Sequence, residues 1–437
     1  MSKMRKKIVV FMYNFPPIGA GRGIAWNKFC SNLSKEYDVS LITIEPSPSD
    51  PIYNESKLHD IGTDFNLYRT SPGFLYHKMY PSSQIKKSIK NRSTKTKSTS
   101  LKRMIKFIYK KIIRSFIFPD RMIFWNKSAE EEFIKINDGN NVDLIITVGF
   151  PFSTHLLGYR LKRKYNVKWI MDYGDPWSFN PSSETVPHYR RWLDRIVESK
   201  IIKCSDHIMV TTDTTKVAFE SEFKMLPSIS VIKQGVDCKL YRDAVSLDAN
   251  TQSDTLELFY SGLFYKDIRN PECFFIALSK INSLPKNVNI KIAGHMEDYI
   301  FDIVDSISLP SFITIEFVGN IGFESVIKYQ SNSDGLLFFG NKGDLQVPGK
   351  IFEYLASGTP IFSVAHQYDV VSEMIELYQR GETSLNLVEQ IKEKFEFFVS
   401  KLVLDKSYYS NNDIKQFDWS FISNEVNCIV DSVLGDK

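Results

Sequence analysis

The sequence has no apolar run near the roughly 20 uninterrupted residues that cross a bilayer, so any membrane role has to be peripheral. Its five cysteines, Cys30, Cys204, Cys238, Cys273 and Cys428, are odd in number and scattered, with no C-x-x-C pair and no histidines at zinc spacing. That argues against a disulfide framework and a structural zinc, and fits a reducing, cytoplasmic setting. The charge balance is also slight: 55 basic against 51 acidic residues leave a net charge of +4, and no nucleic-acid-binding module is present, so nucleic acid is not an expected partner. Nor does the start read as a secretory leader. The basic start Met1 to Lys7 precedes a short apolar run that ends at Pro16-Pro17 without a small-residue cleavage site, which reads as a first strand.

What is there is an ordinary folded composition, 43% hydrophobic and 24% charged, over 437 residues. That length exceeds one hydrophobic core and predicts two domains of roughly 200 residues. β-branched and aromatic runs alternate with helical patterns: Ile8 to Tyr13, Val39 to Ile44, Leu144 to Val148, Lys168 to Met171, His207 to Val210 and Ile229 to Ile232. After a polar stretch at Ser246 to Asp254 the alternation restarts with Leu256 to Tyr260, Asn289 to Ala293, Phe312 to Phe317, Gly335 to Phe339 and Pro360 to Val364. The expected class is α/β, two Rossmann-like units in series, each with a parallel sheet covered by helices on both faces and facing a common cleft. Ligands of such sheets bind beyond the carboxyl ends of the strands. The pattern Trp419 to Leu434 reads as a last helix running back to the first domain.

The rhythm breaks between Pro81 and Phe118. Lys86 to Arg114 holds twelve Lys or Arg and no acid. Ser93 to Ser100 is of low complexity and reads as a loop. Leu101, Met104, Ile105, Ile108, Ile112 and Phe116 then recur at helical spacing with lysines and arginines largely elsewhere, a basic amphipathic helix suited either to an anionic membrane surface, through about 86–118, or to packing on the first domain.

The segment carrying the most chemistry is Gln346 to Ile361. Pro348 and Gly349 precede a helical run, which puts Lys350 in the first turn, where unpaired amides and the helix dipole attract anions. Glu353 follows on the same face one turn deeper, placed to accept two hydrogen bonds from a vicinal diol such as ribose. Phosphate and ribose together describe a nucleotide. An ordinary helix with an i, i+3 Lys-Glu pair, closed by Gly358 and Pro360, fits these residues equally when they are taken alone.

Pro348-Gly349-Lys350-Ile351-Phe352-Glu353-Tyr354-Leu355-Ala356-Ser357-Gly358-Thr359-Pro360-Ile361 closely resembles the donor-nucleotide motif of retaining glycosyltransferase family four, whose members adopt the two-domain GT-B fold. Other segments resemble the family in the same order. Tyr13 to Pro17 with Gly19-Ala20-Gly21-Arg22-Gly23 is similar to its first strand and glycine-rich loop. Gly149 to His155 and Trp169 to Trp177 are similar to the "P-x-S-x-H" and "D-x-R-D-P-W" segments of its bacterial surface-polysaccharide branch. Ile232 to Asp237, and Tyr260 to Leu263 with Arg269-Asn270-Pro271, resemble the opening of its second domain.

The resemblance implies an acceptor-binding domain over 1–240, with the basic insertion at about 81–118, a donor-binding domain over 250–415, and a helix at 416–437 crossing back. It implies a sugar moved from a nucleotide-sugar donor to a lipid-linked or polysaccharide acceptor with retention of configuration. The departing diphosphate would be met by Gly262, Arg269 and Lys350 and the ribose by Glu353, with Gly21, Pro348, Gly349 and Ile351 completing the donor-binding surface. His155 would point at the donor sugar. Asp172 and Asp175, at a strand end, would place acceptor hydroxyls, stabilise positive charge developing at the anomeric carbon, or cap the next helix. No cofactor is expected, and no metal, since Asp-x-Asp occurs nowhere. In one respect the chain departs from the family, which commonly carries a second glutamate eight positions before Glu353; Leu345 stands there, with Asp344 beside it as a stand-in after a one-residue shift. A nucleotide-sugar epimerase of the same architecture, or a non-catalytic partner subunit, are the rival readings.

Overall fold

The computed structural model describes residues 5–18, 21–58, 61–80, 117–139, 141–180, 187–245, 253–266, 268–341, 347–405, 407–409 and 413–435. The expected basic loop and helix within 81–116, and also Gly19, Asp344, Leu345 and Gln346, lie outside these residues. The chain divides into two compact units: Met1–Lys233 joined by Trp419–Lys437, and Gln234–Asp418.

In the first unit, β1 (Lys7–Phe11), β2 (Asp38–Ile44), β3 (Asn66–Thr70), β4 (Leu144–Gly149), β5 (Lys168–Tyr173), β6 (His207–Val210) and β7 (Ser228–Val231) form one parallel sheet in the order β3-β2-β1-β4-β5-β6-β7. Alternation along β1 sends Val9 and Phe11 into one core, with Ile145, Trp169 and Leu157, and Ile8 and Val10 into the other, with Trp26, Phe29 and Met209. Both faces are therefore buried, which is why these strands read as continuous apolar runs. The second core is completed by the helix Trp419–Leu434, which packs on the helix Gly21–Leu33. Trp419 meets Phe29 edge-on at 5.9 Å, Tyr37 donates to Asp431, and Asn32 donates to Asn424 at 3.1 Å.

The second unit repeats the plan with β8 (Thr255–Ser261), β9 (Asn287–Ala293), β10 (Ile313–Gly319), β11 (Gly335–Phe339), β12 (Ile361–Ala365) and β13 (Gly381–Leu385), all parallel in the order β10-β9-β8-β11-β12-β13. Leu258, Tyr260, Leu337 and Phe339 face one core; Phe259, Leu336 and Phe338 face the other. In each sheet the order reverses beside its first strand, at β1/β4 and at β8/β11, and the carboxyl ends there are the places for a ligand. No helix among the described residues is long and apolar enough to cross a membrane.

All eleven strands expected from the sequence are present. The two that were not expected, β3 and β13, are both sheet edges, and their Asn66-Leu67-Tyr68-Arg69-Thr70 and Gly381-Glu382-Thr383-Ser384-Leu385 lack the apolar run of a strand buried on both faces.

The helix His188–Ile202 turns charged groups inward. Arg190 and Asp194 pair at 3.2 Å, and Glu198, fully buried, accepts from the Ser178 amide at 3.0 Å and lies against Tyr173. Burial is the main cause that lifts the Glu198 carboxyl from the usual 4.5 to about 7, although hydrogen bonds from Ser178 oppose it. The native state therefore keeps a proton that the unfolded chain has lost, and stability falls as pH rises from about 4.5 to about 7. Glu198→Gln is expected to remove this dependence. By thermal or urea unfolding it should match the parent near pH 5 and exceed it at pH 8 by on the order of 3 kcal/mol; parallel pH profiles for the two proteins would contradict the assignment.

Candidate functional site

In the second unit the site is built at the carboxyl end of β8. The strand runs out at Ser261 into Gly262, whose φ of +153° suits glycine, and the Gly262 amide donates to the Ala293 carbonyl at 2.9 Å. A Cβ on Gly294, at φ +129°, would stand 2.3 Å from the Gly262 carbonyl oxygen, so two backbones touch here with no room for a side chain. Lys350, the first residue of the helix Lys350–Ser357, reaches across from beyond β11. Its Nζ donates to the Ser261 carbonyl, lies 3.4 Å from Ser261 Oγ, and sits over the Tyr260 ring at 5.8 Å. A Cβ on Gly262 would come within 3.0 Å of that Nζ. Arg269 donates to Asn341, beyond β11, at 2.6 Å, while its buried Nε has no hydrogen-bond partner among the described residues.

Burial is the dominant force on both charged residues of the helix. It lowers the Lys350 ammonium to about 8, with Arg269 adding to the effect and Glu353 opposing it. It raises the Glu353 carboxyl, against Lys350 and the Gln330 amide, which lies 3.4 Å away. Two cations and one carboxylate, partly stripped of water, leave positive charge that an anion would neutralise. Pro348 and Gly349 lead into the helix; the Ile351 side chain is fully buried, so only its backbone is near this surface. The expected closure is as read: Gly358 caps the helix in the left-handed region at φ 77°.

In the first unit His155 and Asp172 lie below the surface at the β4 and β5 ends. Thr147 Oγ1 accepts from Trp169 Nε1 at 2.8 Å and stands 2.8 Å from His155 Nδ1. Nε2, on the other side of the ring, is buried with no partner among the described residues, and with the threonine proton on Nδ1 it is the nitrogen that carries the ring hydrogen. Burial holds this ring neutral, with a pKa of about 3. A Cβ on Gly149 would lie 2.9 Å from Nε2, so a side chain at this position would crowd that nitrogen.

Asp172 sits in the interior of the first unit. Its carboxylate is fully buried and accepts from Arg22 Nε at 2.7 Å, from Arg22 Nη2, and from Trp26 Nε1 at 2.6 Å. The residue facing the site is Arg22, whose Nη1 is buried and has no partner among the described residues. Gly174 lies beside both Arg22 and Gly149, since a Cβ there would be 3.9 Å from Arg22 Cγ and 3.4 Å from the Gly149 carbonyl. Asp175 is half-buried in the turn after β5. Gly21 opens its helix, but a Cβ there would meet nothing within 4 Å; Gly23 is the glycine the packing requires, since a Cβ would fall 2.9 Å from the Asn14 carbonyl. Sequence reading missed Arg22, although a lone arginine between glycines at a helix start was the available signal. It also missed a cavity of about 210 Å³ beyond the ends of β1 and β2, lined by Tyr13, Asp50, Tyr76, Tyr80 and Arg121 among others.

No protein-family model and no curated protein sequence matches the chain. Solved structures do. The sucrose-phosphate synthase of Thermosynechococcus elongatus aligns over 99% of this chain and 100% of its own at 15% identity and a TM-score of 0.63. The Anabaena protein HepE in complex with UDP aligns over 98% and 100% at 10% identity and 0.64. WaaG, a glycosyltransferase involved in lipopolysaccharide biosynthesis, aligns over 97% and 99% at 12% identity and 0.55. At these identities the likeness establishes the fold: the chain has the GT-B architecture of glycosyltransferases.

The Arg22 ion pair yields a stability test. Asp172→Asn keeps the shape and removes the charge that holds a buried guanidinium, so unfolding free energy should fall by about 3 kcal/mol. Arg22→Gln combined with Asp172→Asn should recover part of that loss. Equal stability of Asp172→Asn and the parent would show the pair to be dispensable.

Proposed function

We propose that the protein is a glycosyltransferase that moves a hexose-type unit from a nucleotide-sugar donor to a lipid-linked or polysaccharide acceptor, with retention of configuration, in surface glycan synthesis. The observation that carries this reading is the pair of desolvated cations, Lys350 and Arg269, beside the side-chain-free end of β8 at Gly262 and Gly294. A diphosphate is the leaving group such a place would stabilise, and Glu353 on the next turn suits the ribose hydroxyls. The GT-B fold agrees, and structures sharing it include one holding UDP.

In the first unit His155 Nε2–H would hydrogen-bond a hydroxyl of the donor sugar, Arg22 Nη1 would face an anionic oxygen, and Asp172 would act by positioning Arg22. The acceptor would occupy the cavity beside Tyr13, Asp50 and Arg121, where phenol rings and a carboxylate suit a saccharide. In the reaction the anomeric carbon–oxygen bond to the diphosphate breaks, a bond to the acceptor oxygen forms on the same face, and the acceptor proton passes to the departing diphosphate. Lys350 and Arg269 neutralise the charge that develops on that group, so no metal is called for. The basic segment at about 86–118 would hold the protein peripherally at an anionic membrane on the cytoplasmic side.

A panel of nucleotide sugars with chelator present tests the reading. One donor should be hydrolysed slowly without acceptor. Lys350→Ala should cost about 100-fold or more in kcat/KM, and Glu353→Ala should act mainly on donor KM. Because Lys350 carries its charge below about 8, nucleoside diphosphate affinity should weaken between pH 7 and pH 9 in the parent and stay flat in Lys350→Ala. No hydrolysis or nucleotide binding across the panel would sink the proposal, and an epimerised sugar released without acceptor would favour the epimerase.

A further inference from the structure

Over its first three turns the helix His188–Ile202 is inside out, before Ile201 and Ile202 enter the core. Its buried face there carries Arg190, Asp194 and Glu198, while Tyr189, Trp192, Leu193 and Ile196, three and four residues apart, face solvent. Tyr189 is 62% exposed, Trp192 66% and Ile196 46%. A surface helix of a globular domain ordinarily shows the reverse, and a contiguous apolar stripe on the outside marks an interaction surface. Its rim is basic: Arg191, Arg195 and Lys200 lie on the helix and Lys203 directly follows it. Arg195 pairs with Glu222 at 2.6 Å and so brings up the turn that holds Lys224 and Met225, the latter 81% exposed. The described chain resumes after the sequence's long basic run at Ile117, whose carbonyl accepts from Arg190 of this same helix at 3.3 Å.

We propose that this face seats the protein on an anionic lipid bilayer. Indole and phenol side chains settle at headgroup level, aliphatic ones enter the acyl boundary, and a basic rim pairs with anionic headgroups. The stripe supplies each in turn: Trp192 and Tyr189, Leu193 and Ile196, then Arg191, Lys200 and Lys203. Lipid is favoured over a protein partner because the rim charges that meet no acid among the described residues share one sign. The inference rests on this helix alone and stands or falls separately from the transferase reading.

The chain's other five tryptophans, Trp26, Trp125, Trp169, Trp177 and Trp419, are all buried, so Trp192 reports on its own surroundings. The full chain should sediment with vesicles of phosphatidylcholine and phosphatidylglycerol, far less with phosphatidylcholine alone, and less as salt rises. Tryptophan emission should shift to the blue and be quenched by brominated lipid, and both responses should vanish in Trp192→Phe. The double variant Trp192→Ser with Ile196→Ser should lose about tenfold or more in vesicle partition while keeping its thermal midpoint, since both side chains are exposed. Three results would overturn the proposal: vesicles that hold the double variant as tightly as the parent, vesicles that bind neither, or a self-associated form that the double variant abolishes without any lipid effect. A chain that hydrolyses no nucleotide sugar yet docks through Trp192 would remove the transferase reading and leave this one standing.

Discussion

Asp172 is the group around which the first unit's site is arranged. A carboxylate at the end of an inner strand, out of reach of water, has to be met by partners that neutralise it and fill its lone pairs. Arg22 and Trp26 do so, and both come from the helix that begins in the glycine-rich loop. The pair thereby ties the opening of that helix to the β5 end and fixes a guanidinium whose remaining nitrogen is turned away from the carboxylate. Gly23 completes the arrangement by letting the helix lie against the Asn14 backbone. One side chain thus neutralises the buried carboxylate with two of its nitrogens and leaves the third, itself buried, without a partner among the described residues.

The second unit solves a similar problem with the signs reversed. Lys350 is anchored through the Ser261 carbonyl, which satisfies a donor but supplies no negative charge, and Arg269 is anchored through a neutral amide oxygen of Asn341. Among the described residues Glu353 is the one carboxylate that opposes the shift of Lys350. A cation held by dipoles alone remains electrostatically incomplete, and this distinguishes the β8 end from the paired charges elsewhere in the unit, such as Lys291 with Glu257 and Lys394 with Glu382.

Much of this was legible in the chain itself. Strands buried on both faces announce themselves as apolar runs, so the inner strands and the alternation with helices could be read, and with them the fold. Edge strands β3 and β13 could not, because half of each faces water and their side chains are mixed. The Lys350 helix was readable because its signals are local: proline and glycine at the start, glycine in the left-handed region at the end. Asp172 was found as a candidate but its role was not, since the partner that decides it lies 150 residues away. Likewise the polarity of the His188–Ile202 helix depends on what packs beneath it, and charged residues at helical spacing look alike whether they face the core or the solvent.

The helix Trp419–Leu434 belongs to the first unit although the whole second unit precedes it in the chain. During synthesis this order matters. The ribosome makes Gln234–Asp418 before the segment that closes the core around Trp26, Phe29 and Ile8, so the earlier-encoded unit waits with an open apolar face until the chain is released. Chaperone demand should fall on the beginning of the polypeptide, and slow codons in its last stretch would prolong that exposure.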